Sequence, residues 1–188
     1  MTQTQNMERR TFLGGAMAVF PMALFAQSAK TPEVPVVAGL RAGEGRLGEH
    51  HNIGVSSTDF KVLSRDSGGD LFIMEHANRK KGGPSRHLHH NEDEWFYVIE
   101  GEYIAEVGSQ RFHLKPGDSI LGPREIPHAW AFVGDTPGRL LIAFAPANKM
   151  ETFFRDIEKR HKDGESYDAA AVMHGYGMEL LGPPLSVG

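Results

Sequence analysis

The sequence predicts one all-β domain, a sandwich or small barrel, followed by a short C-terminal helical segment. Three observations indicate this fold. Short runs of alternating apolar and polar residues recur between positions 60 and 144, and turn signals rich in Gly, Pro and Asp separate them. Beyond Pro146 the apolar residues change to a helical period, and neither an internal repeat nor a second domain is visible in the sequence. One barrel is therefore expected.

Nine extended runs are predicted as strands. They cover residues 60–63, 71–77, 86–89, 94–99, 103–107, 110–114, 119–121, 128–133 and 140–144. The separating turn signals are at 67–69, 108–109, 116–118 and 134–138. Many short strands at this spacing are typical of sandwiches and small barrels.

The helical segment begins a few residues after Pro146. Met150, Phe153, Phe154 and Ile157 recur at intervals of three and four among charged residues, which is the pattern of an amphipathic helix. We expect this apolar stripe to cover one end of the barrel rather than to bind a partner helix. Residues 147–188 are thus assigned to a C-terminal helix and tail, and residues 60–146 to the barrel core.

The first 29 residues are predicted to be a removable export signal. Arg9 and Arg10, followed by Thr-Phe-Leu, resemble a twin-arginine motif, and the apolar segment at 14–26 is too short for a confident membrane span. Ala26 and Ala29 offer cleavage positions. We expect a periplasmic or otherwise exported protein with no stable membrane anchor after processing; an amphipathic or membrane-anchoring N-terminal helix is the alternative.

Residues 30–59 form a lead-in that is interrupted by Pro and Gly. We expect this segment to pack along the barrel edge or to exchange with a partner chain. The second alternative would give a homodimer. The 188-residue chain has 20 basic and 24 acidic residues, a formal net charge of −4, and no long basic run. Nucleic acid is therefore disfavoured as a partner and a small-molecule substrate is favoured. The absence of cysteine excludes disulfides, thiolate ligands and cysteine nucleophiles.

Three histidines and one glutamate are spaced as a metal site. His87 and His89 are two residues apart, so on a strand both side chains leave the same face. Glu94 follows a tight acidic turn at the start of the next strand, and His128 follows a proline turn further along. We predict that these four side chains converge on one divalent metal ion, since imidazole and carboxylate are common ligands of such ions.

The same spacing resembles the two cupin motifs. In the first, His-x-His is followed by four residues, Glu, six residues and Gly; in the second, Gly, five residues, Pro, x, Gly, two residues and His follow one another. The matching residues are His87, His89, Glu94 and Gly101 for the first motif, and Gly117, Pro123 and His128 for the second. The resemblance implies that these three histidines and the glutamate hold the metal, in a single double-stranded β-helix, or jelly-roll, barrel.

The resemblance extends over roughly residues 60–185. Over this range the chain is similar to small single-domain cupins of the quercetin-dioxygenase-like group. Two positions depart from the second motif. Glu125 stands where the family usually has Gly, and Phe132 stands where Asn is common. Neither position supplies a ligand.

Period-two alternation also predicts which side chains share the barrel interior with the ligands. Phe96 and Val98 lie on the face of Glu94, and Trp130 and Phe132 lie on the face of His128. These four residues are predicted to line an aromatic, mostly apolar substrate pocket suited to a planar or phenolic molecule. Ordinary barrel core is the alternative for the same residues.

The resemblance implies a metal-dependent dioxygenase, an oxidoreductase acting on a small aromatic, phenolic or enolisable substrate. Glu94 would then be both a ligand and the catalytic general base. Fe²⁺ or Mn²⁺ is favoured, whereas Ni²⁺, Co²⁺, Cu²⁺ and Zn²⁺ are compatible, and affinity order alone favours copper or zinc. The alternatives are a non-catalytic periplasmic cupin that binds a metal or small ligand, and a metal-dependent isomerase or decarboxylase.

Six other histidines are predicted to be structural or solvated residues without a functional role. They are His50, His51, His90, His113, His161 and His174.

Overall fold

Two antiparallel β-sheets form the domain in the computed structural model, which describes residues 39–187. The export signal and the first part of the lead-in lie outside the described residues. The strands are β1 (His51–Ile53), β2 (Ser56–Val62), β3 (Phe72–Asn78), β4 (Ser85–His89), β5 (Asp93–Glu100), β6 (Tyr103–Val107), β7 (Gln110–Leu114), β8 (Ser119–Gly122), β9 (His128–Phe132), β10 (Gly138–Ala145) and β11 (Met178–Pro184). The helices are α1 (Met150–Asp163) and α2 (Ala169–Gly175), with a 3₁₀ turn at Ser64–Ser67.

The two sheets pack as a jelly roll, which confirms the predicted all-β fold. One sheet has six strands in the order β1-β2-β3-β10-β5-β8, and the other has five in the order β11-β4-β9-β6-β7. All pairs of neighbouring strands are antiparallel. Because sequential strands such as β4 and β5 belong to different sheets, residues close in sequence face each other across the interior.

The core lies between the sheets and is rich in aromatic rings. Along β5 the buried residues alternate with more exposed ones, as period two predicts, so that Glu94, Phe96 and Val98 face inward. Phe72 stacks on Phe144 with ring centroids 5.9 Å apart. Burial of these apolar side chains is the main force holding the chain together, since it has no disulfides.

The C-terminal segment covers one end of the barrel and then returns to a sheet. Phe154 of α1 packs 5.8 Å from Phe144 and 6.2 Å from Phe72, centroid to centroid. Asp168 caps α2 by accepting hydrogen bonds from the next backbone amides. β11 then pairs with β4, which places the last strand beside the strand that carries His87 and His89. Within the described residues no helix is both long and apolar enough to cross a membrane.

Each of the nine predicted strands is present, with bounds that shift by a few residues. The largest shift is in β2, which begins at Ser56 and not at residue 60. Among the described strands and α-helices, β1, α2 and β11 were not predicted, and neither was the 3₁₀ turn at Ser64–Ser67. β1 has only three residues, and β11 contains Gly182 and two prolines, so neither shows a clear alternation.

Candidate metal centre

Four buried side chains converge between the sheets: His87, His89, Glu94 and His128. Each offers one ligand atom, and these atoms lie within 4.8 Å of one another. His87 pairs with His128 across β4 and β9 of one sheet, whereas Glu94 projects from β5 of the other. The structure therefore brings together all four residues whose convergence the sequence predicts.

The three imidazoles point the same ring nitrogen at the glutamate. Glu94 Oε2 lies 2.9 Å from His128 Nε2, 3.2 Å from His89 Nε2 and 3.8 Å from His87 Nε2. The Nε2 atoms of His87 and His89 are themselves 3.2 Å apart. Nitrogen and carboxylate oxygen atoms are thus gathered around one small space.

The outward nitrogen of each ring has an acceptor of its own. His87 Nδ1 lies 2.7 Å from the carbonyl of Ser85, and His128 Nδ1 lies 2.9 Å from the carbonyl of Ile126. Carbonyl oxygens only accept, so Nδ1 of each of these two rings carries a proton, and when the ring is neutral its Nε2 atom has a lone pair that faces the cluster. This is the arrangement that orients histidine ligands in metal sites.

The donor set fits a divalent cation. Lone pairs of neighbouring nitrogens repel at such short separations unless positive charge lies between them. Burial lowers the pKa of His89, but hydrogen bonds to Glu92 and Glu94 outweigh that effect and raise it to about 9. Burial raises the pKa of Glu94, yet hydrogen bonds with His128, His87 and His89 bring it well below its usual range. The cluster therefore attracts positive charge, as a metal site must.

Glu92 completes the site and was not predicted. Its carboxylate is 1% exposed; Oε1 lies 2.6 Å from His89 Nδ1, and Oε2 accepts a hydrogen bond from Asn148 Nδ2 at 3.0 Å. In the sequence Glu92 is one of several acidic residues in a turn, which is usually a solvated position. The one available signal was that a ligand histidine needs an acceptor for its second nitrogen.

The two turn positions around His128 show how the local backbone admits its ring. Glu125, at the position where cupins usually have Gly, adopts a left-handed conformation with φ of 63°, and its amide donates to the carbonyl of His89 at 2.7 Å. Gly122 pairs with Glu94, and a β-carbon there would lie 3.1 Å from the ring of His128. The turn geometry is thus kept without Gly at position 125.

A cavity of about 350 Å³ opens beside the cluster. His87, His89 and Glu94 contribute to its wall, and the remaining wall is mostly apolar. Both the barrel interior and the C-terminal helices supply lining residues, among them Met74, Ile142, Phe144, Phe153, Phe154 and Met173. This volume is within the range of small-molecule sites.

The four predicted pocket residues are placed differently from one another. Trp130 lines the cavity, whereas Phe96, Val98 and Phe132 belong to the packed core and are not part of the cavity wall. Phe132 fills a space left by three glycines; a β-carbon on Gly138, the closest of them, would lie 2.5 Å from its ring. Alternation correctly places these side chains inside, but the interior there is already filled, so the pocket assignment is corrected to Trp130 alone.

The histidines predicted to be structural or solvated are not members of the cluster. His51 is buried and bonded to Glu158 at 2.6 Å, and His90 on the surface contacts Glu125 at 3.0 Å. His50 contacts Asp59 at 2.6 Å. His161 is one of the residues that line the cavity, and the other two, His113 and His174, are exposed.

Comparison with known proteins agrees with this geometry. Residues 74–144 match the family described as Cupin domain, and all four cluster residues lie within the match. This segment is thus similar to cupin domains in sequence, and its buried His/Glu cluster is compatible with a divalent metal site.

Sequence relatives match only over this region. The uncharacterized protein MJ1618 of Methanocaldococcus jannaschii is 30% identical over 65 residues, which are 35% of this chain and 52% of the relative. Polyketide synthase CurC of Streptomyces cyaneus is 27% identical over 62 residues, which are 33% of this chain and 40% of the relative. The chain thus spans about half the length, or less, of these curated relatives.

Solved structures are also similar to part of this chain. KdgF from a Halomonas species has a TM-score of 0.47 at 17% identity, over 52% of this chain and 86% of that one. An RmlC-like cupin from Shewanella frigidimarina has a TM-score of 0.45 at 23% identity, over 55% and 87% of the two chains.

Proposed function

We propose that the protein is a metal-dependent dioxygenase that acts on a small aromatic, phenolic or enolisable substrate with O₂ as the oxidant. The observation that carries this proposal is the opening of a buried three-histidine, one-glutamate cluster onto a mostly apolar cavity of about 350 Å³. A structural metal site is usually closed by its ligands, whereas a catalytic site keeps a position open to substrate. The access of three cluster residues to the cavity supports the catalytic alternative.

The cluster residues would have two roles in this reaction, metal binding and proton transfer. A divalent metal held by His87, His89, Glu94 and His128 would supply Lewis acidity and exchange electrons with the substrate and O₂. Glu94 is ionised at neutral pH, because hydrogen bonds with the three imidazoles lower its pKa despite its burial. We assign this carboxylate the role of general base for a substrate hydroxyl or enol; its lowered pKa keeps it unprotonated but does not strengthen it as a base.

The cavity wall selects the substrate and excludes water. The ring of Phe144 lies 5.7 Å from that of His89, and Trp130, Phe153 and Phe154 add further aromatic surface to the wall. Apolar and aromatic walls bind planar rings through dispersion and stacking. Once a substrate displaces water, the negative charge left on its oxygen after proton removal would lie close to the cluster, where it is not screened by solvent.

The metal is proposed to be Fe²⁺ or Mn²⁺. Both ions accept imidazole and carboxylate ligands and leave positions for a substrate. Export in the folded state through a twin-arginine route to the periplasm would allow loading in the cytoplasm, where free copper and zinc are scarce. This location is part of the proposal, and Arg9 and Arg10 are its sequence basis.

Oxygen uptake tests the function directly. The protein is purified anaerobically, loaded with Fe²⁺ or Mn²⁺, and assayed against flavonols, catechols and 1,3-diketones, with His128→Ala as the metal-site variant and the exposed His113→Ala as the matched control. We expect one substrate class to drive oxygen uptake in wild type and His113→Ala but not in His128→Ala, and ¹⁸O₂ to place both atoms in product. Absence of substrate-dependent uptake by metal-loaded wild type would contradict the proposal and favour a non-catalytic binding protein.

A further inference from the structure

His76 is a buried histidine in the cavity wall that the metal cluster does not use. It lies on β3, is 4% exposed, and meets the ring of Trp130 edge-on with centroids 5.5 Å apart. Its Nε2 atom is buried and has no hydrogen-bond partner among residues 39–187. Buried polar atoms are nearly always paired. An unpaired ring nitrogen in a cavity wall therefore marks a position where a ligand atom would complete the bonding.

The hydrogen bond at the other ring nitrogen, Nδ1, determines whether Nε2 is a donor or an acceptor. His76 Nδ1 lies 3.2 Å from Thr58 Oγ1, and this is the one hydrogen bond of the fully buried Thr58 hydroxyl within the described part of the chain. A buried hydroxyl proton needs an acceptor, and the Nδ1 lone pair is the acceptor within reach. When Thr58 donates to Nδ1, the ring proton is on Nε2. His76 thus presents an N–H donor.

The charge state of His76 further restricts which chemical group of a ligand can bind to it. Burial lowers its pKa to about 4, although the Glu94 carboxylate acts in the opposite direction, so the ring is neutral at physiological pH. A neutral donor in an apolar wall suits an uncharged acceptor such as a carbonyl or ether oxygen. A second carboxylate would lose its hydration there with no cation to offset the cost.

Strand register separates His76 from the metal cluster. On β10, Leu140 pairs with His76 and Phe144 pairs with Glu94. Four residues of strand correspond to about 13 Å of backbone. One ligand oxygen is therefore not expected to serve both groups.

We propose that His76 Nε2–H binds a second, uncharged oxygen of the substrate, remote from the oxygen that faces Glu94, and thereby selects elongated molecules with oxygen at both ends. This inference rests on the proposed function, since it assumes that the cavity holds a phenolic or enolisable substrate. It adds a specificity-determining residue outside the metal cluster.

A matched pair of probes tests the proposal. 4-Hydroxyacetophenone carries a carbonyl opposite its phenol, and 4-ethylphenol is similar in size without it. Their affinities are measured by calorimetry on protein carrying one equivalent of redox-inert Zn²⁺. Because the phenols also differ in acidity, the quantity compared between proteins is the ratio of the two dissociation constants.

We expect wild type to favour 4-hydroxyacetophenone about fivefold to tenfold more strongly than His76→Phe does, as for one hydrogen bond. His76→Gln, which retains an N–H donor, should keep part of the preference, and the exposed His113→Phe should keep all of it. A ratio unchanged in His76→Phe would overturn the role of His76 while leaving the proposed function intact. Binding of neither probe by wild type would contradict the phenolic substrate class, and with it this inference.

Nitrogen NMR of the imidazoles provides a test that needs no folded variant at position 76. In wild type we expect the His76 ring to be neutral with its proton on Nε2. Thr58→Val removes the donor to Nδ1 and should let the proton populate Nδ1, with a smaller carbonyl preference. A wild-type ring protonated on Nδ1 would refute the donor assignment.

Discussion

Glu92→Gln is expected to weaken metal binding although Glu92 is not a ligand. The carboxylate of Glu92 is buried, lies 2.6 Å from His89 Nδ1 and accepts from Asn148 Nδ2 at 3.0 Å. Its charge makes the His89 ring a stronger electron donor at Nε2, the atom that faces the cluster. Glutamine keeps the size and can still accept from Nδ1, but it removes the charge.

The expected loss of metal affinity in Glu92→Gln follows from the removal of this one charge. Replacement of the partner of a ligand histidine typically lowers metal affinity 10–100-fold, or about 1.4–2.7 kcal/mol. Glu92→Ala should cost more, because it leaves His89 Nδ1 and Asn148 Nδ2 unpaired in a buried place, each at about 1–3 kcal/mol of folding stability. The two variants therefore separate the charge effect from the hydrogen-bond effect.

Competition with a chromophoric chelator at fixed pH measures the affinity, and chemical denaturation measures the stability. The control is Glu100→Gln, which removes an exposed carboxylate from the far end of β5, the strand that follows Glu92. We expect the control to match wild type in both measurements. A Glu92→Gln affinity within twofold of wild type would refute the reasoning that this carboxylate tunes the site.

Three further variants probe the base, the buried histidine and the export signal. Glu94→Gln should retain some metal and lose oxygenase turnover on the order of 10²–10⁴-fold, measured as oxygen uptake. The pKa of His76 is about 4 in the fold and 6.5 without it, so the unfolded chain takes up the proton first. The contribution of neutral His76 to stability is present above pH 6.5 and is lost as pH falls towards 4. Chemical denaturation should therefore show that, between pH 7 and 4, the free energy of unfolding falls by on the order of 3 kcal/mol more in wild type than in His76→Phe. Arg9→Lys with Arg10→Lys should leave the precursor in the cytoplasm, as fractionation would show.

Each of these expectations has a contrary result. Full metal content with more than about a third of wild-type oxygen uptake in Glu94→Gln would eliminate its role as base. Parallel loss of stability in wild type and His76→Phe between pH 7 and 4 would show that His76 does not resist protonation. Normal periplasmic accumulation of the double-lysine variant would indicate another export route.

The barrel strands and the metal cluster could be predicted because local patterns determine them. Alternation along β5 places Glu94 inside whatever the neighbouring strands are, and the two-residue spacing of His87 and His89 sets their common face. β11 could not be found in this way. Its pairing with β4 shifts register twice, at Gly182 and Pro184, so the strand exists because of its partner rather than its own period.

The limits of the cavity and the roles of Glu92 and His76 depend on tertiary packing. Alternation shows that Phe132 points inward, but not that its ring fills the space left by Gly138 and its neighbours. Glu92 is buried because His89 and Asn148, which is 56 residues away, both bond to it. The unpaired nitrogen of His76 is visible only once all its neighbours are in place.

Metal content of the purified protein tests the central claim most directly. Elemental analysis of wild type should find about one divalent metal ion per chain, and the double variant His87→Ala, His89→Ala should contain none while circular dichroism shows a folded, less stable barrel. His90→Ala, which alters an adjacent surface histidine bonded to Glu125, should keep the full amount. Stoichiometric metal in the double variant, or none in wild type after purification without chelators and incubation with Fe²⁺ or Mn²⁺, would contradict the account.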